Sequence, residues 1–250
     1  MDWSSISILL MVAVLSVISV GALLKGMTGL GLPLFAVPAI ATLTSVEEAV
    51  VLMIIPGLGS NISLVTNHRR FAALLREHLP FMIAGFVGGI AGTFLLVAID
   101  DRWLKLILAV WLALYLFQYV LGDFLRPVFQ AQGAAAAVVG VTAGTIQGAT
   151  GVSAHIVAPY FHNRNIPPEA YAFLVASAFL TFSIAQLSAA IGTQLFTPER
   201  LTLGLIALVP TLLFTRVGIG LAGRISNTVF QRILLVVFVF MEIKLLMDIF

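Results

Sequence analysis

The chain has 250 residues, of which 60% are hydrophobic and 10% are charged, and its mean hydropathy is +1.11. An ordinary soluble domain carries about 25% charged residues, so this composition excludes one. The formal net charge of +2 comes without a basic block, which argues against a nucleic-acid partner. Cysteine is absent, so disulfides, thiolate metal sites and cysteine nucleophiles are excluded.

The first residues, MDWSSISILLMVAVLSVISV, are apolar, but they lack a positive n-region and an obvious cleavage site. This pattern indicates a retained membrane helix and not a signal peptide. More apolar runs follow, and a bilayer-spanning helix needs about 20 such residues. The runs are too long and too uniformly apolar for the strands of a membrane barrel. The sequence therefore predicts an all-α polytopic membrane protein with about eight helical elements, near 5–25, 34–66, 79–99, 103–121, 134–160, 170–192, 201–222 and 228–248.

The two halves of the chain resemble each other. KGMTGLGLPLFAVP at 25–38 aligns with QGATGVSAHIVAP at 147–159, so that glycine, threonine, glycine and proline recur in the same order. VGGIAG at 87–92 similarly aligns with VGIGLAG at 217–223. We interpret these matches as two copies of a four-element unit, residues 1–122 and residues 127–250, which together form one transport domain.

The charges of the connecting loops indicate that the two copies are inverted. In the first copy, the loop between the second and third elements is positive, NHRRFAALLREH at 67–78, whereas the same loop of the second copy is TPER at 197–200. The loop between the first and second elements carries Glu47 and Glu48 in the first copy but Arg164 in the second. Cytoplasmic loops are enriched in Lys and Arg, so the alternation predicts inverted repeats. Copies with four spans each would be parallel, so one element of each copy has to enter the membrane and return.

The first element of each copy contains a cluster of glycines, and we therefore predict that this element is broken or re-entrant. Matched breaks in the two halves of a transporter are the best sequence indication of its binding site. A broken helix exposes backbone N–H groups that favour an anion, and a lysine and a histidine could add positive charge. The predicted substrate-binding residues are Lys25, Gly26, Thr28, Gly29, Gly31, Asn61, Gln147, Gly148, Thr150, Gly151, Ser153 and His155.

Other interpretations of these residues stay open at this point. Glycines in membrane helices often serve only close packing, and threonines often bond their own helix carbonyls. Lys25 could extend to a lipid headgroup from a helix end, and His155 could bond a neighbouring helix. Glu48 and Glu169 begin helices, where a carboxylate stabilises the first turn. We predict no catalytic residue, no metal ligand and no cofactor, and we leave a homo-oligomer open.

Three segments in combination resemble the sulfite exporter TauE/SafE family of bacterial and plant membrane proteins. They are KGMTGLGLPLFAVPAI, QGATGVSAHIVAPYF and the closing GRISNTVFQRILLVVFVFMEIKLL, and the resemblance covers the whole chain. It implies a multi-pass protein of the cell membrane, in bacteria the inner membrane, that exports sulfite, sulfoacetate or related organosulfonates. Two features depart from the family: the first break reads GLGLP without a run of consecutive glycines, and His155 stands where many relatives have small or apolar residues.

Export of a small anion is accordingly the function that we expect, with alternating access as its mechanism. An anion that leaves a cell with a negative interior gains about 2.3 kcal/mol per charge per 100 mV, so passive export needs no coupling ion, while proton coupling through His155 stays open. An uptake carrier or a channel for sulfate or small carboxylates is the alternative. An intramembrane protease is disfavoured, since Ser153 and His155 are two residues apart without a nucleophile-elbow motif. A purely structural subunit would leave the matched polar breaks without a role.

Overall fold

The structure is a computed structural model that describes residues 8–29, 31–121, 132–162, 166–221 and 227–249. Within these ranges the chain is helical and contains no strand. The 3-10 helix Arg69–His78 lies between the third and fourth α-helices. The described residues form ten α-helices, which are α1 (Ile8–Thr28), α2 (Gly31–Ala41), α3 (Val46–Asn67), α4 (Leu79–Ala98), α5 (Asp101–Leu121), α6 (Gly133–Thr150), α7 (Ala154–His162), α8 (Pro168–Gly192), α9 (Pro198–Leu221) and α10 (Asn227–Ile249).

Five helical stretches of the described residues are long and apolar enough to cross a bilayer: α1, α3, α8, α9 and the continuous stretch Arg69–Ala98. Large apolar side chains also cover the outside of the bundle, as at Leu9, Val209 and Phe240. In water this surface would be unstable, but in lipid it is the expected one. The predicted all-α, multi-pass membrane protein is therefore confirmed.

Each of the two predicted breaks is present. Helix α1 ends at Thr28, and Gly29 follows with a φ of 83°, its N–H donating to the Lys25 carbonyl at 2.7 Å. Helix α6 ends at Thr150, and Gly151 follows with a φ of 71°, its N–H donating to the Gln147 carbonyl at 2.8 Å. A left-handed glycine after the last helical residue is a common helix stop, because glycine has no Cβ to oppose a positive φ.

After each break the chain turns back along the helix it has just left. Phe81, near the start of α4, lies against Gly140 of α6, and its ring also stacks on that of Tyr160 in α7 at 4.3 Å. Gly140 of α6 and Tyr160 of α7 both contact Phe81, so α7 runs back alongside α6. In the first half, a Cβ on Gly21 of α1 would lie 3.5 Å from the Cβ of Ala36 in α2. Both first elements are therefore helical hairpins with a break between their two helices, and whether they re-enter the membrane stays a prediction.

The packing of the helices follows the same scheme in both halves. Helix α1 packs on α9, and α6 packs on α4, so the first element of each half lies on the third element of the other. Helices α3 and α8 contact each other at the centre, and α5 contacts α10. If each helix is replaced by its counterpart in the other half, the same pairs of helices remain in contact. The inverted relation of the halves and the grouping of ten helices into eight elements nevertheless stay predictions.

At one end of the bundle, a cluster of hydrogen bonds around Arg200 joins the starts of α3 and α9. Helix α3 begins after Ser45, whose hydroxyl accepts from the Glu48 N–H at 3.1 Å. Arg200, in the first turn of α9, donates to Glu47 at 2.7 Å and also to both carboxylate oxygens of Glu48. A third group of Arg200 donates to the Leu195 carbonyl at 2.8 Å. We call this end, where α3 and α9 begin, the α3-start face.

The start of α5 and the end of α10 lie at the same face. Asp101 accepts a hydrogen bond from the Val46 N–H, the first residue of α3, at 2.7 Å. Lys105 lies 3.3 Å from Asp101 and 3.8 Å from Asp248 near the end of α10. These contacts define which helix ends share one membrane surface.

Candidate functional site

A small cavity lies between the two helix breaks, and its volume is about 20 Å³. Both hairpins and the central helices α3 and α8 contribute to its wall. The residues that line it are Lys25, Gly29, Pro33, Val50, Met53, Gly57, Asn61, Gln147, Gly151, Phe179, Ser183 and Gln186. The cavity thus lies where the sequence predicts a binding site, at the paired breaks.

Lys25 is the positively charged residue of this cavity. It is only 3% exposed, although it stands in the last turn of α1. Its ammonium donates to the Ser60 hydroxyl at 2.9 Å and to Asn61 Oδ1 at 2.6 Å, both on α3. Lys25 does not extend to a headgroup, and that interpretation of the sequence is wrong.

Among the residues that the structure describes, none with a carboxylate pairs with Lys25. A buried charge is costly unless it is both paired and hydrogen-bonded. An ammonium has three N–H donors, and the described partners accept from two of them. The site therefore offers a positive charge and a free donor that an anion can complete.

Gln147 stands in the second half where Lys25 stands in the first, and it holds the second break together. Its amide nitrogen donates to the Gly151 carbonyl at 3.0 Å, and its Oε1 accepts from the Ser153 hydroxyl at 2.8 Å. Its backbone carbonyl accepts from the Gln186 amide of α8 at 2.9 Å. The second break is thus a neutral, hydrogen-bonded turn that faces the charged first break.

The structure brings five of the predicted site residues to the cavity wall: Lys25, Gly29, Asn61, Gln147 and Gly151. Ser153 is one hydrogen bond away through Gln147. Whether these residues bind substrate stays a prediction, but their convergence follows from the two hairpins meeting at the centre of the bundle.

Two predicted glycines lie in helix contacts and not in the cavity wall. A Cβ on Gly26 would overlap the backbone of α9 at Thr215 and Gly218. A Cβ on Gly148 would overlap the backbone of α4 at Gly89 and Gly92. These matched positions let α1 approach α9 and α6 approach α4, which is the packing role that glycines commonly have in membrane helices.

The two matched threonines bond within their own segments. Thr28 donates to the Leu24 carbonyl at 2.9 Å and is exposed, and Thr150 donates to the Ile146 carbonyl at 2.8 Å. Gly31 is the first residue of α2. None of these three residues lines the cavity.

His155, in the first turn of α7, lies away from the cavity wall. Its ring stacks on Trp111 of α5 at 4.4 Å and is 3% exposed. Within the described parts of the chain, neither ring nitrogen has a hydrogen-bond partner. His155 therefore does not line the cavity that Lys25 lines, although the sequence proposed both as charged ligands.

Sequence analysis missed the polar contribution of α3 and α8 apart from Asn61. Ser60 bonds Lys25, while Ser183 and Gln186 line the cavity from α8. The sequence does contain an indication of this contribution, because Ser183 and Gln186 are three residues apart and therefore lie on one face of an apolar helix. Polar groups inside a membrane helix generally face the bundle interior, so this pair could have been included.

The chain was also compared with known proteins. The profile of the family described as Sulfite exporter TauE/SafE matches residues 13–245, which is nearly the whole length. The chain belongs to the TauE/SafE family. Searches of curated proteins and of solved structures each found no match. As a TauE/SafE protein, the chain is a multi-pass membrane transporter of sulfite or another small anion, and this agrees with a protein that is not an enzyme.

Proposed function

We propose that this TauE/SafE protein exports small sulfur-containing anions, namely sulfite, sulfoacetate or related organosulfonates, by alternating access. The observation that carries the proposal is the buried Lys25 ammonium, which has only neutral described partners and lies between two helix breaks. Sulfite and sulfonate oxygens are acceptors, and they suit an ammonium with a remaining N–H donor.

Neutral donors beside Lys25 support the same substrate class. Asn61 accepts from Lys25 through Oδ1, so its amide NH₂ group remains a donor. Ser183 and Gln186 add a hydroxyl and an amide to the wall from α8. In our proposal these groups bind the oxygens of the anion, while Lys25 offsets its charge.

The size of the cavity supports a carrier that opens and closes. A volume of about 20 Å³ has room for roughly one water molecule, and sulfite is larger than water. An anion can therefore enter only if the helices around the site separate. In alternating access that separation occurs on one side of the membrane at a time.

The exchange symmetry of the helix contacts supports rocking of two halves around this site. Each hairpin lies on the third element of the other half, and α3 faces α8 across the centre. Inverted repeats produce two openings, one on each side of the membrane, that are related by a pseudo-two-fold axis and use the same set of contacts. The Arg200 cluster at the α3-start face would then separate when that side opens.

Export requires no coupling ion in this proposal. The described residues that line the cavity include no carboxylate, the group that commonly binds Na⁺ or H⁺ in coupled carriers. The membrane potential alone favours outward movement of an anion by about 2.3 kcal/mol per charge per 100 mV.

The first test is ligand-induced thermal stabilisation of the purified protein with sulfite, sulfoacetate, taurine, sulfate, acetate and chloride. A ligand that binds only the folded state stabilises it by RT ln(1 + [L]/Kd), or about 2.7 kcal/mol at 100 times Kd. We expect sulfite and sulfoacetate to raise the melting temperature and chloride to leave it unchanged. Stabilisation by acetate or sulfate alone would refute the sulfur-anion assignment and support the uptake or channel alternative.

The second test is counterflow in liposomes loaded with unlabelled sulfite. A carrier exchanges labelled external sulfite for internal sulfite and saturates as the concentration rises. Flux that rises linearly without exchange would refute alternating access and indicate a channel.

A further inference from the structure

An apolar groove of about 350 Å³ lies on the outside of the bundle, between the first hairpin and α10. It is separate from the cavity at the breaks and shares no lining residue with it. Its wall consists of Val17, Ala39, Thr42, Leu43, Val236, Val237, Phe240, Met241 and Lys244. All but two of these side chains are hydrocarbon or thioether, so the groove fits a hydrocarbon guest.

The polar end of the groove is at the membrane surface. Asp248 lies 3.8 Å from Lys105 at the α3-start face, and Lys244 is one helical turn before Asp248. At 1.5 Å per residue, Lys244 is about 6 Å deeper than Asp248, a distance that the flexible lysine stem can span. Thr42 lies in the short connection between α2 and α3 and therefore borders the same end.

The apolar end of the groove reaches the middle of the bilayer. Val236 precedes Asp248 by twelve residues of α10, which corresponds to about 18 Å along the helix. One leaflet of a hydrocarbon core about 30 Å thick has half that depth, about 15 Å. The lining residues of α10 run from Val236 to Lys244, about 12 Å of helix, which is most of the depth of one leaflet and suits a lipid acyl chain.

The surface end of the groove carries a charged side chain, that of Lys244. Lys244 is exposed and forms no ion pair with any residue in the described ranges. Glu242 is close in sequence but does not line the groove. Among the described residues that line the groove, Lys244 alone carries a charge, and an ammonium near the lipid headgroups attracts a negatively charged phosphate.

We propose that this groove binds one acyl chain of an anionic phospholipid, whose headgroup phosphate is bound by Lys244. The lipid would lie against the first hairpin and α10 in the leaflet of the α3-start face. Because it contacts α1 and α2 directly, it would stabilise the hairpin that carries Lys25 and Gly29.

The test compares phosphatidylglycerol with phosphatidylcholine of the same acyl chains, added to the delipidated protein in detergent. Bound lipids are counted by native mass spectrometry, and the melting temperature is measured in parallel. We expect the wild type to bind phosphatidylglycerol about fivefold more tightly, the effect of one lysine near an anionic surface. Lys244→Gln should abolish this preference, and Lys244→Arg should retain it.

Two further variants test whether lipid binding depends on the groove and not on surface charge in general. Arg216→Gln removes an exposed cation of α9 outside the groove and should leave the preference unchanged. Ala39→Phe fills the apolar wall and should reduce the number of tightly bound lipids by one, whichever headgroup is used.

Equal affinity for the two lipids in the wild type, or a preference that survives Lys244→Gln, would overturn the proposal. Equal binding of glycerol phosphate without acyl chains would also overturn it, because it would indicate a free-phosphate site. A lipid-free dimer that Phe240→Ser dissociates would show instead that a second copy covers the groove.

Discussion

Lys25 on α1 donates a hydrogen bond of 2.6 Å to Asn61 on α3, and both side chains are buried beside the cavity at the helix breaks. This contact joins the first hairpin to the centre of the bundle. It also places an ammonium against neutral acceptors, which leave its charge uncompensated within the described residues. In our proposal, the bound anion compensates this charge.

Replacing Lys25 by Met should abolish anion-induced stabilisation and lower sulfite transport by about tenfold or more, because hydrogen bonds to charged groups contribute about 1.5–3 kcal/mol. The variant should remain folded, since an apolar side chain of similar length removes a buried charge. The measurement is the melting temperature with and without sulfite, followed by liposome flux. Lys105→Met is the matched control, because Lys105 forms its contacts with Asp101 and Asp248 at the α3-start face. A wild-type sulfite response in Lys25→Met would contradict the charged site.

The helical class, the membrane location and the two breaks could be predicted from the sequence. Long apolar runs permit few structures in lipid, and a glycine after a helix, as at Gly29 and Gly151, is a local stop signal. The partners of the hairpins could not be predicted. Lipid is as apolar as the interior of the bundle, so a membrane helix does not display its inner face through hydrophobicity. That α1 lies on α9 and α6 on α4 became known only from the structure.

The candidate site could be predicted in part for the same reason. Lys25, Asn61 and Gln147 stand out because polar side chains are expensive inside a membrane. Gly26 and Gly148 belong to the same motifs as Gly29 and Gly151, and yet they pack against other helices. Sequence alone does not separate a glycine that ends a helix from one that admits a neighbour, since both need only the absence of a Cβ.

Gly218→Ala should destabilise the protein, whereas Gly220→Ala two residues later should not. A Cβ on Gly218 would overlap the Leu23 carbonyl oxygen and approach the Cα of Gly26, so α1 and α9 would have to separate. Such overpacking costs about 1–3 kcal/mol. A Cβ on Gly220 meets no atom of another described helix within 4 Å, and alanine there should be neutral or stabilising by up to about 1 kcal/mol. Melting temperatures of the two variants in the same detergent provide the comparison, and equal values would refute the close contact of α1 with α9.

Gly29→Ala should lower the free energy of unfolding by about 1–2 kcal/mol, the cost of a left-handed backbone for a residue with a Cβ. Apart from its chain neighbours, no described residue has an atom within 4 Å of that Cβ position, so we expect the effect to come from the φ of 83°. Gly29→Asn should be milder, because asparagine tolerates this conformation. Denaturation of the three proteins under the same condition should give the wild type the highest free energy of unfolding, the asparagine variant an intermediate value and the alanine variant the lowest. An alanine variant as stable as the wild type would contradict the break between α1 and α2.

Removing Arg200 should destabilise the protein more than removing Arg200 and Glu48 together. Arg200→Met leaves the Glu48 carboxylate buried without its guanidinium, and breaking a buried pair in this way costs about 3–5 kcal/mol. The double variant Arg200→Met with Glu48→Gln also removes the unpaired carboxylate charge and should recover much of the lost stability. Glu169→Gln is the control, because Glu169 occupies the matching helix start in the second half but is exposed, and surface changes stay within about 0.5 kcal/mol. Thermal unfolding of the wild type, the two single variants Arg200→Met and Glu48→Gln, the double variant and the Glu169→Gln control gives the interaction energy. If the losses of stability from the two single changes are additive, Arg200 and Glu48 do not act as a pair. The Arg200 cluster would then not be the contact that closes the α3-start face.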